Sequence, residues 1–303
     1  TTTAGLVYIW RDSAHALPDS MPDPDQIIPF DRLPPGFAES IDAGTSSPAV
    51  PKPAATVVLM REATADIEIL LLRRSRSAGF VPGAFVFPGG RVDDADGGED
   101  VLGRIQGLDL ERAAARLGIA PDSRPSPTAY WVTAVREAFE ETGLITGPDA
   151  GAPPASKSPR VEAIRDALMT DAIGWAEALT RLDVSLDLAA MEYIAHWITP
   201  EAEPRRYDTR FFAAEVGADS DPVVDPREMV EALWLTPGDA LDRQADGRLP
   251  MVFPTVHTIR GLSRFRSCGD VLHHFRSSSI PAILPKLVRT PTGIGLEVDE
   301  TPG

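Results

Sequence analysis

Two apolar runs, "AATVVLMRE" at 54–62 and "IEILLLRRS" at 67–75, flank the short stretch "ATAD". Runs this apolar and partly β-branched, split by a polar turn, read as an antiparallel hairpin. "GAFVFPGG" (83–90) reads as a third strand, ended by Pro-Gly-Gly. "MEYIAHWITP" (191–200), "DTRFFAAEV" (208–216) and "EMVEALWLTP" (228–237) read as three more. Helical patterns alternate with them. "DLERAAARLG" is a short helix, and a second runs over 128–141 until Gly143 stops it. One helix is expected through "VEAIRDALMTDAIGWAEALTRL", another in "PGDALDRQADG" and a last over 254–276, with an irregular end after it. No internal repeat is visible.

Prolines crowd residues 1–53, where neither a helix nor a central strand survives that density. This stretch reads as an irregular extension, with Ile27, Ile28, Phe30 and Phe37 as points where part of it packs down. The expected organisation is an extension at 1–53, a main domain at 54–240 and a helical appendage at 241–303 packed on that domain. Lys and Arg number 29 against 45 Asp and Glu, a net charge of −16. Such a chain repels phosphate backbones, which argues against non-specific nucleic-acid binding. A single cysteine, Cys268, excludes a disulfide framework and a cysteine-rich zinc site within one chain. No apolar run approaches membrane-spanning length, and "TTTAGLVYIW" lacks the basic lead of a secretory signal. A reducing cytoplasmic setting is the expectation.

The chemistry concentrates in "WVTAVREAFEETGL" (131–144). Trp131, Val132, Val135, Ala138 and Phe139 recur at helical spacing, with the charges on another face. Glu137, Glu140 and Glu141 stand at i, i+3 and i+4, so their Cβ atoms lie about 5–6 Å apart on one helix face. Carboxylates that close repel unless a cation neutralises them, and all-oxygen sites suit magnesium or manganese. Arg136, four residues before Glu140, can brace it through a fork contact. Alone, the pattern favours a solvent-facing helix with one i, i+4 ion pair.

"REAFEETGL" resembles the second half of the Nudix box, R-E-U-x-E-E-x-G-U with U apolar, and "FPGG" (87–90) supplies the glycine that opens its first half. Counted from Gly90, the box's first glutamate falls on Asp96. Between Asp96 and Arg136 stand 39 residues where the pattern has seven, so the box holds an insertion at about 97–127. Either Asp96 fills the glutamate's place or that place is vacant. The interruption is similar to the coenzyme A diphosphatase branch of the family. "LLLRRSRSAGFVPGAFVFPGG" also resembles that branch's upstream motif, with Leu72 in place of its threonine and Gly79 in place of its second arginine. "EPRRYDTRFF" and "PTVHTIRGL" are similar to it as well, and the resemblance spans roughly 53–285.

The resemblance implies an α/β/α Nudix sandwich with a mixed sheet, and hydrolysis of a nucleoside diphosphate linked to another group. It implies Mg2+ or Mn2+ held by Glu137, Glu141 and Glu140, with the Gly89 carbonyl completing the set and Arg136 orienting a glutamate. The ions would stand between the acidic helix and the phosphates, inverting the local sign. Phosphate contacts are expected from Arg74 first, then Arg76, Arg205 and Arg206. Nudix enzymes take their general base from the box or from a later loop; Glu201, Glu203 and Asp208 are the loop candidates. His196 and Trp197 sit in an apolar strand and read as core, with base stacking as a second reading. The implied partner is a small diphosphate: coenzyme A or acyl-coenzyme A, or alternatively ADP-ribose, NADH, a dinucleoside polyphosphate or a capped RNA end. A catalytically silent Nudix-fold binding module is a further reading, and a homodimer is open.

Overall fold

The structure, a computed structural model, describes residues 27–30, 41, 47–64, 66–76, 81–147 and 156–298. Phe37, Gly79 and most of the proline-rich 1–53 stretch lie outside the described residues.

A short strand β1 (Ile27–Pro29) precedes β2 (Lys52–Glu62) and β3 (Ile67–Arg74). The expected hairpin forms, β2 and β3 pairing antiparallel with Met60 opposite Ile69. The 83–90 segment makes two strands rather than one. β4 (Phe85–Val86) pairs with β3, whereas β5 (Gly89–Arg91) pairs with β2. The switch falls at Pro88, which has no N–H to continue a ladder. A 3-10 turn (Asp94–Gly97), α1 (Glu99–Leu102), β6 (Ile105–Gln106) and α2 (Leu110–Leu117) then lead to α3 (Ala129–Thr142). Asp109 caps α2, and left-handed Gly118 and Gly143 end α2 and α3.

The single helix expected over 161–182 is two: α4 (Pro159–Met169) and α5 (Trp175–Leu182). Asp171 takes a left-handed φ of 55° between them, and Gly174 is the N-cap of α5. The break turns Trp175 back to lie 5.6 Å from Phe139 of α3, ring to ring, and this contact outweighs the helical propensity of the linker. Strands β7 (Leu186–Asp187), β8 (Met191–Ile198), β9 (Tyr207–Glu215) and β10 (Met229–Leu235) follow, then α6 (Pro237–Ala245). The helix expected over 254–276 is also two, α7 (Phe253–Leu262) and α8 (Cys268–Arg276), because Ser267 caps a new start by accepting from Asp270 N at 3.0 Å. Nor is the end irregular. β11 (Ala282–Ile283) joins β8 in parallel, and β12 (Lys286–Arg289) pairs with β13 (Gly293–Glu297), on whose other side β1 docks. These strands are two to five residues long, too short for alternation to show in sequence.

The main sheet runs β10-β3-β2-β9-β8-β11. It is mixed: β2–β9 and β8–β11 are parallel, and the other neighbours antiparallel. Both faces are covered, which is why its strands read as unbroken apolar runs. Val57, Leu59, Leu70, Leu72 and Phe212 pack with Trp131, Val135 and Phe139 of α3 and with α4 and α5. Val58, Met60, Ile69, Leu71 and Phe211 pack with Ala240, Val256, Ile259 and Val271 of α6, α7 and α8. Each large side chain so buried contributes about 1.5–3 kcal/mol. The chain is therefore an α/β/α sandwich. Among the described residues, no helix is long and apolar enough to cross a membrane.

The insertion leaves and re-enters the fold at one point: a Cβ on Gly97 would lie 2.9 Å from Ser126 Cβ. Between those ends, Val101, Ala113 and Leu117 bury into the α3-side core. The break in the sequence motif is thus closed in space.

Candidate active site

Strand β5 brings its two glycines against β2 and α3 at once. A Cβ on Gly89 would fall 2.6 Å from Ala55 O and 2.8 Å from Thr56 Cα. On Gly90 it would fall 2.4–2.6 Å from the carboxyl group of Glu137. Only glycine allows both approaches. Gly89 N donates to Glu141 Oε2 at 3.2 Å, so α3 and β5 are locked together through the acidic face of the helix.

Arg136 organises the rest. Its Nε donates to Asp96 Oδ1 at 2.8 Å and its Nη2 to Asp96 Oδ2 at 3.0 Å, a two-pronged contact. Its Nη1 reaches Glu137 Oε1 at 2.9 Å and Glu140 at 3.1 and 3.2 Å, and Nη2 also donates to Arg91 O. Asp96 is 1% exposed and further accepts from Thr133 Oγ1 at 2.7 Å and from Asp93 N at 3.2 Å. Asp96 is thus a buried anchor for Arg136 and lies outside the cavity lining.

Burial is the largest influence on all three acids. It pushes the Glu137 carboxyl up to about 7, with Arg136 opposing and Glu140 assisting. It raises Glu140 against the pull of Arg136. It raises Glu141 well above the carboxylate range, helped by Glu137 and opposed by Arg74. Burial also works against the charge of Arg136, but Asp96, Glu137 and Glu140 outweigh it and hold the guanidinium more firmly protonated than usual. Two acids left this costly to ionise, over a glycine backbone, form an oxygen donor set suited to a hard divalent cation.

A cavity of about 410 Å³ opens over this face, lined by Gly89, Gly90, Glu137, Glu141 and Arg74 among others. Among the described residues, Arg74 Nε is buried there without a hydrogen-bond partner. Glu140 lies outside the cavity lining, its carboxylate held by Arg136. Arg76 and Arg205 are exposed and outside it too. Arg206 is buried and donates to Thr199 O at 2.9 Å and Ala49 O at 2.8 Å, so its guanidinium pins a turn to the chain ahead of β2. Of the loop acids, Glu203 is buried and lines the cavity, whereas Glu201 is exposed and outside it. Asp208 accepts from His196 Nε2 at 2.6 Å and is paired with Arg210, which together hold it below the usual carboxylate range despite its burial. His196 is thus a buried partner of Asp208, while Trp197 lines the cavity.

Glu228 is a cavity residue that motif reasoning missed. It stands just ahead of β10, where Ser75 N donates to its carbonyl and so sets it beside Arg74, and its charge reaches both Glu140 and Glu141. No spacing from the box marks it, because sheet pairing of β10 with β3 brings it in. A separate group, Glu62, Glu215 and Cys268, gathers at the other ends of β2 and β9. There Glu62 Oε1 accepts from Cys268 N at 2.7 Å and caps the first turn of α8.

The sandwich, with a helix of paired glutamates seated on a strand-end glycine pair, is the framework of a Nudix domain. Residues 41–262 match the model of the NUDT19 Nudix domain, and the chain belongs to that family. It is similar to the Acyl-coenzyme A diphosphatase NUDT19 of Homo sapiens, 30% identical over 240 residues that cover 68% of this chain and 63% of that protein. The Gallus gallus protein of the same name is 28% identical, over 70% of this chain and 65% of that one. The chain thus spans less than two thirds of the length of these relatives. Among solved structures, a NUDIX hydrolase from Alicyclobacillus acidocaldarius superposes with a TM-score of 0.61 at 28% identity, covering 74% of this chain and 96% of that one.

Proposed function

We propose that this chain is a divalent-metal-dependent diphosphatase that hydrolyses the diphosphate bond of coenzyme A or an acyl-coenzyme A. The observation that carries the reading is the cavity in which Glu137 and Glu141, seated on Gly89 and Gly90, share walls with the unpartnered Nε of Arg74. The names of the relatives support the coenzyme A half of it.

Glu137 and Glu141 would hold Mg2+ or Mn2+ together with the Gly89 carbonyl. When bound, the cation polarises the phosphoryl oxygens and acidifies water. Glu140 and Arg136 position the ligands: the guanidinium fixes Glu137 and Glu140 relative to one another, and Asp96 fixes the guanidinium. Arg74 donates to a phosphate oxygen through its Nε, which has no other partner among the described residues. Water attacks one phosphorus, the bond from it to the bridging oxygen breaks, that oxygen leaves on the other phosphate, and the products are phosphopantetheine, acylated or free, and adenosine 3′,5′-bisphosphate. Glu228 takes the proton of the attacking water, since it lines the cavity beside Arg74 and lies outside the grip of Arg136.

The test is product analysis after incubation with coenzyme A, octanoyl-coenzyme A, ADP-ribose, NADH, a dinucleoside polyphosphate and a capped RNA end, each with Mg2+ or Mn2+. The expected result is highest kcat/KM on the coenzyme A species with the two products named. No cleavage of them at high enzyme concentration overturns the coenzyme A assignment, and no cleavage of any member overturns the diphosphatase.

A further inference from the structure

Most of the cavity wall away from the glutamates is apolar. Phe87 and Phe211 meet edge to face at 6.4 Å, and Trp197 and Phe253 do so at 5.4 Å. Leu296 and Pro285 complete this wall. Trp197, Phe253 and Leu296 are 3–4% exposed, so the wall is packed in place rather than assembled around a ligand. Its sources are separate. Trp197 comes from β8, Phe253 from the start of α7, and Leu296 from β13 in the small sheet made with β1 and β12. Pro285 and Leu296 lie beyond residue 262, where the match to the family domain ends. The small sheet thus lends Leu296 to the cavity wall from outside the matched domain.

A diphosphate has no use for such a wall, and an apolar wall left facing water gains nothing until an apolar group covers it. Both aromatic pairs are perpendicular, so neither offers the parallel faces that clamp a purine ring. A flexible aliphatic chain suits the surface, since its contact is non-directional and grows with the area covered. We propose that the wall of Trp197, Phe253 and Leu296 is the subsite for the acyl-pantetheine arm, and that Leu296 sets acyl-chain preference. This rests on the diphosphatase reading above, whose substrate it specifies.

The decisive probe is S-octanoyl-pantetheine, which has the arm and no diphosphate, titrated calorimetrically into the full chain beside free pantetheine. The octanoyl compound should bind at least about tenfold more tightly, in line with the value of several methylenes in an apolar pocket. In Leu296→Trp, which fills the wall, that preference should disappear. The ratio of kcat/KM for octanoyl-coenzyme A over coenzyme A should then fall about tenfold. Equal binding of the two compounds to the native chain overturns the subsite even if Leu296→Trp fails to fold. An unchanged ratio in a folded Leu296→Trp overturns the role of Leu296. Absence of all diphosphate cleavage, with octanoyl-pantetheine still bound, would instead remove the proposed reaction and leave the subsite standing.

Discussion

Asp96 and Arg136 are 40 positions apart and form a buried two-pronged ion pair, with side chains 2% and 13% exposed. The pair is closed by an insertion whose ends touch at Gly97 and Ser126. Through it the 3-10 turn after β5 is tied to the middle of α3, and Glu137 and Glu140 are held by the same guanidinium. Removing Asp96 takes away the two-pronged partner of Arg136 and leaves its guanidinium to Glu137 and Glu140. Asp96→Ala should cost about 1.5–3 kcal/mol, read by denaturant unfolding. A cost under about 1 kcal/mol would sink the assignment of Asp96 as the anchor.

Glu141 tests the metal site itself. Glu141→Gln keeps the shape and removes the charge, so kcat in Mg2+ should fall at least about a hundredfold, the size of one lost electrostatic contact to a reacting group. The melting temperature should not fall, because burial already disfavours the ionised acid. Turnover that survives the change would show that the cation is held elsewhere.

The pH dependence of stability has a definite sign. Glu137 is raised in the folded state from 4.5 to about 7, so the stability it contributes is complete below about 4.5 and is lost as pH rises through about 7. In chelator, the melting temperature should therefore drop between pH 5 and 8, by the equivalent of roughly 2–3 kcal/mol. Mg2+ should flatten the drop, and so should Glu137→Gln in chelator. A melting curve independent of pH in chelator contradicts the burial of this acid.

The adjacent glycines should fail differently. At Gly89 the added methyl meets backbone, which cannot yield, so Gly89→Ala should lower stability by about 1–3 kcal/mol. At Gly90 it meets the end of the Glu137 side chain, which can swing away. Gly90→Ala should fold nearly as well as the native chain yet need higher Mg2+ for half-maximal rate. Thermal melts and metal titrations of the two variants, run side by side, separate the cases.

Arg74 and Glu228 have separable roles in the proposed reaction. Arg74→Gln should raise KM for coenzyme A about tenfold or more, the value of a charge-assisted hydrogen bond. Glu228→Gln should lower kcat by about a hundredfold with little change in KM, the usual worth of a general base. Steady-state kinetics decide, and a Glu228→Gln enzyme at full kcat would move the base to another residue such as Glu203.

The chain's own order of residues determined the local elements and the identity of the box helix. Apolar runs around a polar turn form β2 and β3 wherever they occur, because burial of such runs is local in its demand for pattern. The i, i+3, i+4 spacing puts Glu137, Glu140 and Glu141 on one face of α3 by helix geometry alone. Tertiary structure decided the rest. Helix breaks near 171 and 265 follow from Trp175 docking on Phe139 and from the Ser267 cap. The tail became β11, β12 and β13 because partner strands far away in the sequence were within reach. Arg206, expected at phosphate, is spent on two carbonyls, while Glu228 arrives at the cavity through strand pairing. A side chain's neighbours across a sheet are set by register and layer packing, which no periodicity along the chain encodes. Asp96 joins the two kinds of information: its type and its count from Gly90 were legible, but its pairing with Arg136 waited on an insertion folding back to where it began.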